Sequence, residues 1–441
     1  MAVPYAQTDV AIVGGGLAGL TAACYLAQGG VAVTLFEKAA KVGGRAATSY
    51  HDGYAFNRGI HALYCGGATE QVLQELGIQY SGKSPKTVYA LYQDKLHLFP
   101  SGPSSLLQSS LLDMGDKLEL IRLFATLPKI NAKEMARMSV QQWLEQTFKR
   151  PRVRQLMTAL ARTNVYSAAL DLVSPEANVH KLQLALKHPT IYIDGGWQTL
   201  VDGLRLKAEK AGARIVSGTR VECVERDEQQ NGRVRGVRLD DGSFVGASAV
   251  ILATTPREAV KLVEHAPLRE IVDALIPAQV ACLDVALRHL PDPQHAAVLD
   301  MERPLFFSTQ SLYARVAPAG GALLHAFKQL DPEHPTDPRE DERDLEALLD
   351  RVQPGWRAEV IRRFYLPRIE AVGMLPTVKD GGYAGRPGPR VPGLANLYLT
   401  GDWIGEGFLS DPSLGSARQV AQMLLQDGSF VVKYKEDELG A

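Results

Sequence analysis

Near the amino terminus, Gly14-Gly15-Gly16-Leu17-Ala18-Gly19 has the residue types and spacing needed to hold a phosphate. Gly14 allows a tight turn, Gly16 lets a pyrophosphate approach the backbone, and Gly19 lets a helix pack closely on a strand. The open N–H groups of a helix starting there would stabilise phosphate charge. Eighteen residues past Gly19, the pair Glu37-Lys38 puts a carboxylate where it can accept from ribose hydroxyls. That carboxylate would repel a 2′-phosphate, so the pattern fits a dinucleotide with free ribose hydroxyls. Three more polar side chains follow glycines along the chain: Arg45 after Gly43-Gly44, His61 two residues after Gly59, and Asp402 after Gly401.

The elements that must position these groups are readable around them. Asp9–Val13 is a short apolar run suited to a buried parallel strand. A helical stretch from Thr21 to Gln28 ends at Gly29-Gly30, and a second strand, Ala32–Phe36, ends at Glu37. A second block opens at Asp194-Gly195-Gly196-Trp197. Leu200, Leu204, Ala208 and Ala211 then recur at helical spacing, and Gly212 ends the helix. Strands follow at Ile215-Val216, Thr219–Val224, Val234–Leu239 and Ala249–Ala253, with turns at Gly218, Gln229–Gly232 and Asp240-Asp241-Gly242. The third block is the strand Asn396–Thr400, the step Gly401-Asp402, and a helix beginning near Ser413–Ser416. In open α/β sheets ligands sit at the carboxyl ends of strands, where both Glu37 and Asp402 fall.

The stretch Lys41-Val42-Gly43-Gly44-Arg45-Ala46-Ala47-Thr48 resembles the Gly-Gly-Arg signature of the flavoproteins that include amine oxidases, protoporphyrinogen oxidases and phytoene desaturases. Phe56-Asn57-Arg58-Gly59-Ile60-His61-Ala62-Leu63-Tyr64 resembles the loop beside the flavin ring in the phytoene desaturase-like branch, with Ile60 in place of a proline. The resemblance implies FAD as the cofactor. It implies that Gly14, Gly16, Leu17, Ala18, Gly19, Glu37, Lys38, Gly43, Gly44 and Arg45 hold the dinucleotide. By the same resemblance, Gly59, Ile60 and His61 lie beside the flavin, the backbone of Val221 lies near the adenine, and Gly401 and Asp402 lie at the pyrophosphate and ribityl chain. The helix carrying Ser413 and Leu414 would face the flavin's pyrimidine end, its dipole favouring the anionic reduced ring. His61 is the one polar candidate for the chemistry, either facing the ring or satisfied by backbone.

The expected fold is α/β, a discontinuous Rossmann-type FAD-binding domain with a mixed α+β substrate domain. Residues 1–85, 190–265 and 391–430 would form the first, residues 86–189 and 266–390 the second, and 431–441 a tail. Leucines with interspersed charges over 104–147 read as amphipathic helices capping the substrate domain, and leave peripheral membrane contact open. Phe306, Phe307, Tyr313, Phe327, Tyr365 and Met374 read as pocket or as core, and Arg362-Arg363 as a carboxylate anchor or a surface pair. The expected reaction removes hydride from an apolar or amphipathic small molecule. The alternatives are amine oxidation, a redox-neutral isomerisation, and flavin-free binding of the escort and dissociation-inhibitor type. Amine oxidation would call for an aromatic wall near Phe408 or Leu409.

Composition closes other routes. With 48 Lys plus Arg against 49 Asp plus Glu, no basic excess points to nucleic acid. Cys24, Cys65, Cys223 and Cys282 form no CxxC pair, and the ten histidines form no HxxxH. Neither a disulfide framework nor a metal centre is expected, and a reducing cytoplasm fits. Cys65 reads as a buried thiol rather than a covalent flavin tether. Val10–Leu26, broken by glycines, reads as strand, turn and helix rather than a leader, and no apolar run is long enough to span a membrane.

Overall fold

The structure, a computed structural model, describes residues 7–59, 61–227 and 232–427. Ile60, turn residues 229–231 and the tail 431–441 lie outside the described residues. Two seven-stranded sheets dominate. The first has the order Arg214–Ser217, Val33–Glu37, Gln7–Val13, Phe244–Leu252, Arg233–Leu239, Val221–Asp227. Gln7–Val13 lies between two parallel neighbours, with Val13 opposite Phe36 on one side and Leu252 on the other. Its residues from Val10 to Val13 are all buried, as befits a strand covered on both faces.

Phe244–Leu252 is shared between two partners. Its beginning pairs antiparallel with Arg233–Leu239, and its end pairs in parallel with Leu397–Leu399, Leu252 opposite Leu399. That pairing returns the distant C-terminal strand to the first sheet and delivers Gly401-Asp402 beside the glycine turn. Three helices pack together over one face: Leu17–Gln28, Gln198–Lys210 and Asp411–Gln426. Leu17–Gln28 is rich in alanine, and small side chains let it sit buried between its two neighbours and the sheet.

Element types agree with the sequence reading, but several ends move. The first helix starts at Leu17 rather than Thr21. The strand expected from Ala249 begins at Phe244, and the one expected at Thr219 begins at Val221. The last helix starts at Asp411, ahead of Ser413, because Pro412 sits comfortably in a first turn, where its missing N–H is not needed.

The second sheet has the order Val360–Val372, Ala278–Leu287, Ala322–Gln329, Leu305–Thr309, Ala297–Asp300, Tyr89–Tyr92, Lys95–Leu98. Its period-two alternation sorts the side chains. Val280 and Cys282 face a helical layer, while Ala281, Leu283 and Val285 face the helix Pro338–Val352. The helical layer contains Met114–Thr126, Val140–Thr147, Pro151–Val165 and Glu176–Ala185. Leu120, Leu123, Trp143 and Leu144 are buried there, while Leu107, Met114, Leu118 and Ile121 of the same stretch are exposed. Among the described residues no helix is long and apolar enough to cross a membrane.

Candidate functional site

One cavity of about 700 Å³ lies between the two sheets, within the roughly 300–1,000 Å³ usual for small-molecule sites. One end is built by the first sheet. Gly14, Gly16, Leu17 and Ala18 line it from the glycine turn and the first helical turn. Gly14 has φ 110°, and a Cβ there would lie 2.4 Å from the Ala253 carbonyl oxygen. Gly16 differs: a Cβ would meet nothing in the protein, only the cavity. Gly19 does not line the cavity. Its missing Cβ would fall 2.0 Å from the Gly14 carbonyl oxygen, so this glycine serves the helix–strand contact.

Glu37 lines the cavity at the end of its strand. The Gly15 N–H donates to its Oε2 at 2.7 Å and the Ala39 N–H to its Oε1 at 2.8 Å. Each carboxylate oxygen accepts about two hydrogen bonds, so both keep capacity for ribose hydroxyls. Lys38 ion-pairs with Glu258 at 2.8 Å across the mouth of this end. Hydrogen bonds from Lys38 and Lys261 hold Glu258 down at about 2. Val221, together with Thr219, Arg220 and Glu222, forms the adjoining wall.

Arg45 and Asp402, 357 residues apart, form a two-point ion pair in the middle of the cavity. Arg45 Nη1 donates to Oδ2 at 2.7 Å and Nη2 to Oδ1 at 2.5 Å, while the Gly373 N–H donates to Oδ2 at 2.7 Å. Burial would raise the Asp402 pKa, but the charge and hydrogen bonds of Arg45, with Gly373 and Arg386, hold it below the ordinary value. Each was expected to address the dinucleotide on its own; they also address each other. Gly43 and Gly44, at φ 134° and 55°, bend the loop that carries Arg45, and both line the cavity with Gly401.

His61 lines the cavity beside Gly59 and packs edge-on against Trp197 at 5.1 Å. Its Nδ1 lies 3.0 Å from the Gly59 carbonyl oxygen and its Nε2 3.1 Å from that of Arg45. A neutral ring donates only one of these bonds. Burial nonetheless holds its pKa below the ordinary value, despite both carbonyls. With one bond made and the other nitrogen facing a second carbonyl, the ring is held between two backbone segments, a geometry that matches a structural histidine rather than an acid or base. Ser413 lines the cavity from the last helix; Leu414 does not, because its position on that helix turns it fully into the core.

Val280, Cys282, Ile369 and Ala371 of the second sheet close the other end, with Tyr166 from the end of the helix Pro151–Val165 and Leu409 from the loop before the last helix. Of the two readings open for Phe306, Phe307, Tyr313, Phe327, Tyr365 and Met374, pocket or core, none of the six lines the cavity. Phe307 faces the helix Pro338–Val352 on the far face of the sheet, and Tyr365 donates to the Pro338 carbonyl there. Phe327 stacks behind Tyr166 at 5.5 Å, and Met374 belongs to the core of the first sheet. Arg362 pairs with Asp52, and Arg363 with Glu342 and Glu346, so neither is held for a carboxylate ligand. Phe408 is in the helical core, and Leu409 occupies the place of the expected aromatic wall. Cys65 is buried away from the cavity, its thiol pushed up to about 12 by burial and by Glu70.

Sequence reasoning did not single out Glu370, Tyr166 or Cys282. Glu370 lines the cavity 3.9 Å from Arg45, with its pKa raised by burial. Its Oε1 and the Trp197 Nε1 are buried without hydrogen-bond partners among the described residues. A ligand rich in hydroxyls and carbonyls would satisfy both, and the open space over Gly16 suits a pyrophosphate. The residues present therefore fit a flavin dinucleotide. Among the described residues no cluster of His, Cys, Asp and Glu is arranged to hold a metal ion.

Comparison with known proteins shows the family and the fold. A family model described as flavin containing amine oxidoreductase matches residues 17–425. A 4,4'-diaponeurosporene oxygenase from Staphylococcus aureus is 23% identical over 55% of this chain and 54% of its own length, so the chain spans about half of that relative. A 4,4'-diapolycopen-4-al dehydrogenase from Metabacillus indicus is 25% identical over 95% of this chain and 97% of its own. The solved structure of an oxidoreductase from Methanosarcina mazei has a TM-score of 0.75 at 18% identity, covering 94% of this chain and 100% of that one.

Proposed function

The chain belongs to the flavin containing amine oxidoreductase family, and we propose that it is an FAD-dependent oxidoreductase that takes hydride from an apolar or amphipathic small molecule. The observation that carries this reading is one continuous cavity, with a glycine cradle at one end and Tyr166, Val280, Cys282, Ile369 and Leu409 at the other. Bound there, the flavin would supply the hydride acceptor. Glu37 would take the adenosine ribose, which favours FAD over the shorter mononucleotide. Gly14, Gly16 and the first helical turn would hold pyrophosphate, and Arg45 with Asp402 the adjoining stretch.

On this reading residues 1–85, 190–265 and 391–430 are the cofactor domain, and residues 86–189 and 266–390 bind substrate. The apolar end would exclude water and orient the substrate, which raises the effective concentration of the reacting groups. Two relatives bearing carotenoid names support an apolar substrate. Amine oxidation is disfavoured because Leu409 stands where an aromatic wall was expected.

The test is the cofactor itself. Purified protein should be yellow, and acid should release FAD, about one per chain. Release of FMN, or a colourless protein that FAD cannot reconstitute, would overturn the assignment.

A further inference from the structure

Behind the apolar end lies a second, much smaller chamber of about 20 Å³. Leu409 and Ser410 line both spaces and so form the partition. Leu409 holds φ 59°, a left-handed backbone strained for a leucine. Lys181, on the helix Glu176–Ala185, lines the chamber and is only 8% exposed. Its Nζ lies 3.9 Å from the ring centre of Tyr64, 4.9 Å from Tyr166 and 5.8 Å from Phe408. It has no hydrogen-bond partner among the described residues.

A buried amine with three N–H donors and no acceptor is unfavourable, and such a group asks for an oxygen. The aromatic faces relieve part of its charge but accept no strong hydrogen bond. Burial pushes Lys181 down to about 7, with the Asp411 charge opposing. The chamber has room for about one water-sized group. It is too small for a ring or a chain; His180 and Asp411 also line it, and Leu409 and Ser410 separate it from a cavity whose walls nearby are apolar.

We propose that this chamber is an oxygen subsite, in which Lys181 donates a hydrogen bond to the carbonyl or carboxylate oxygen at one end of the substrate, while the apolar body lies in the main cavity. The proposal rests on the apolar-substrate reading above. It makes Lys181 a specificity-determining residue and Leu409 the side chain that must yield as the oxygen enters.

The test uses FAD-loaded protein under anaerobic conditions and reads binding from the flavin absorbance change. Three probes of equal length are compared: a polyene hydrocarbon, its terminal aldehyde and its terminal carboxylic acid. Wild type should bind both oxygen-bearing probes about tenfold or more tighter than the hydrocarbon, the scale of one hydrogen bond to a charged donor. Lys181→Met should erase that preference while leaving the hydrocarbon affinity within about twofold. Lys181→Gln keeps a donor without charge, so it should retain the aldehyde preference and lose that for the acid. If Lys181→Met fails to fold, the wild-type and Lys181→Gln comparisons decide. Hydrocarbon binding with no preference for oxygen, or equal loss for all three probes, overturns the subsite alone. A flavin spectrum that no probe perturbs overturns the apolar-substrate reading with it.

Discussion

The Arg45–Asp402 pair predicts an asymmetry between its two halves. The Arg45 side chain is 42% exposed, and that of Asp402 is 5% exposed. Asp402→Asn leaves a guanidinium that can turn toward water and keeps an acceptor for the Gly373 N–H. Its cost should be about 1–2 kcal/mol, the scale of a lost charged hydrogen bond partly replaced by solvent. Arg45→Met instead strands a buried carboxylate with only the Gly373 N–H and the nearby Arg386 charge. Its cost should be about 3 kcal/mol, the low end of the range for removing one partner of a buried pair.

The pH dependence should differ in sign. In wild type Asp402 is held below its unfolded value of about 3.9, so the clamp contributes fully above that value and is lost as pH falls through the lower folded value. In Arg45→Met burial dominates and the carboxyl pKa rises. The deficit should therefore shrink as pH falls from about 7 to about 5, because the carboxyl takes up a proton. Urea unfolding of the flavin-free proteins at these pH values measures both effects. Equal costs for the two variants, or a deficit in Arg45→Met that grows on acidification, would refute the buried clamp.

Two further predictions concern the glycine end. Glu37→Ala should weaken FAD binding by on the order of 1.5–3 kcal/mol, since it removes charged acceptors at the ribose; unchanged affinity in a flavin titration would place Glu37 elsewhere. Gly16→Ala should leave urea stability within about 0.5 kcal/mol yet lower FAD affinity, because its Cβ meets only the cavity. Gly19→Ala should do the reverse, destabilising the flavin-free fold by about 1–3 kcal/mol through its contact with the Gly14 carbonyl. Matching behaviour of the two glycine variants would remove the distinction between cradle and packing.

What was legible in the sequence was what local backbone geometry dictates. The turn at Gly14–Gly19, the strand ending at Glu37 and the bent loop before Arg45 each depend on residues close in sequence. Asp402 was legible because a strand end is recognisable without knowing its neighbour. Its pairing with Arg45 was not, since it depends on Leu397–Leu399 docking beside Phe244–Leu252. The apolar end was left open between pocket and core for a related reason. Phe307 and Tyr365 are as apolar as Val280 and Cys282, and only strand register decides which face of the second sheet meets the cavity. Tyr166 sits at a left-handed helix end, with φ 53°, and carries no sequence signal for its place. Lys181 looks like any helix lysine until the rings around it are assembled.

The central claim is that one cavity brings FAD and an apolar substrate together. Anaerobic mixing of the FAD-loaded protein with polyenes, porphyrinogens and amines tests it most directly, read as loss of the oxidised flavin absorbance. Bleaching by a polyene or another apolar or amphipathic compound, with amines inert, is the predicted result. Bleaching by amines alone, or by none of the three classes, would contradict the account.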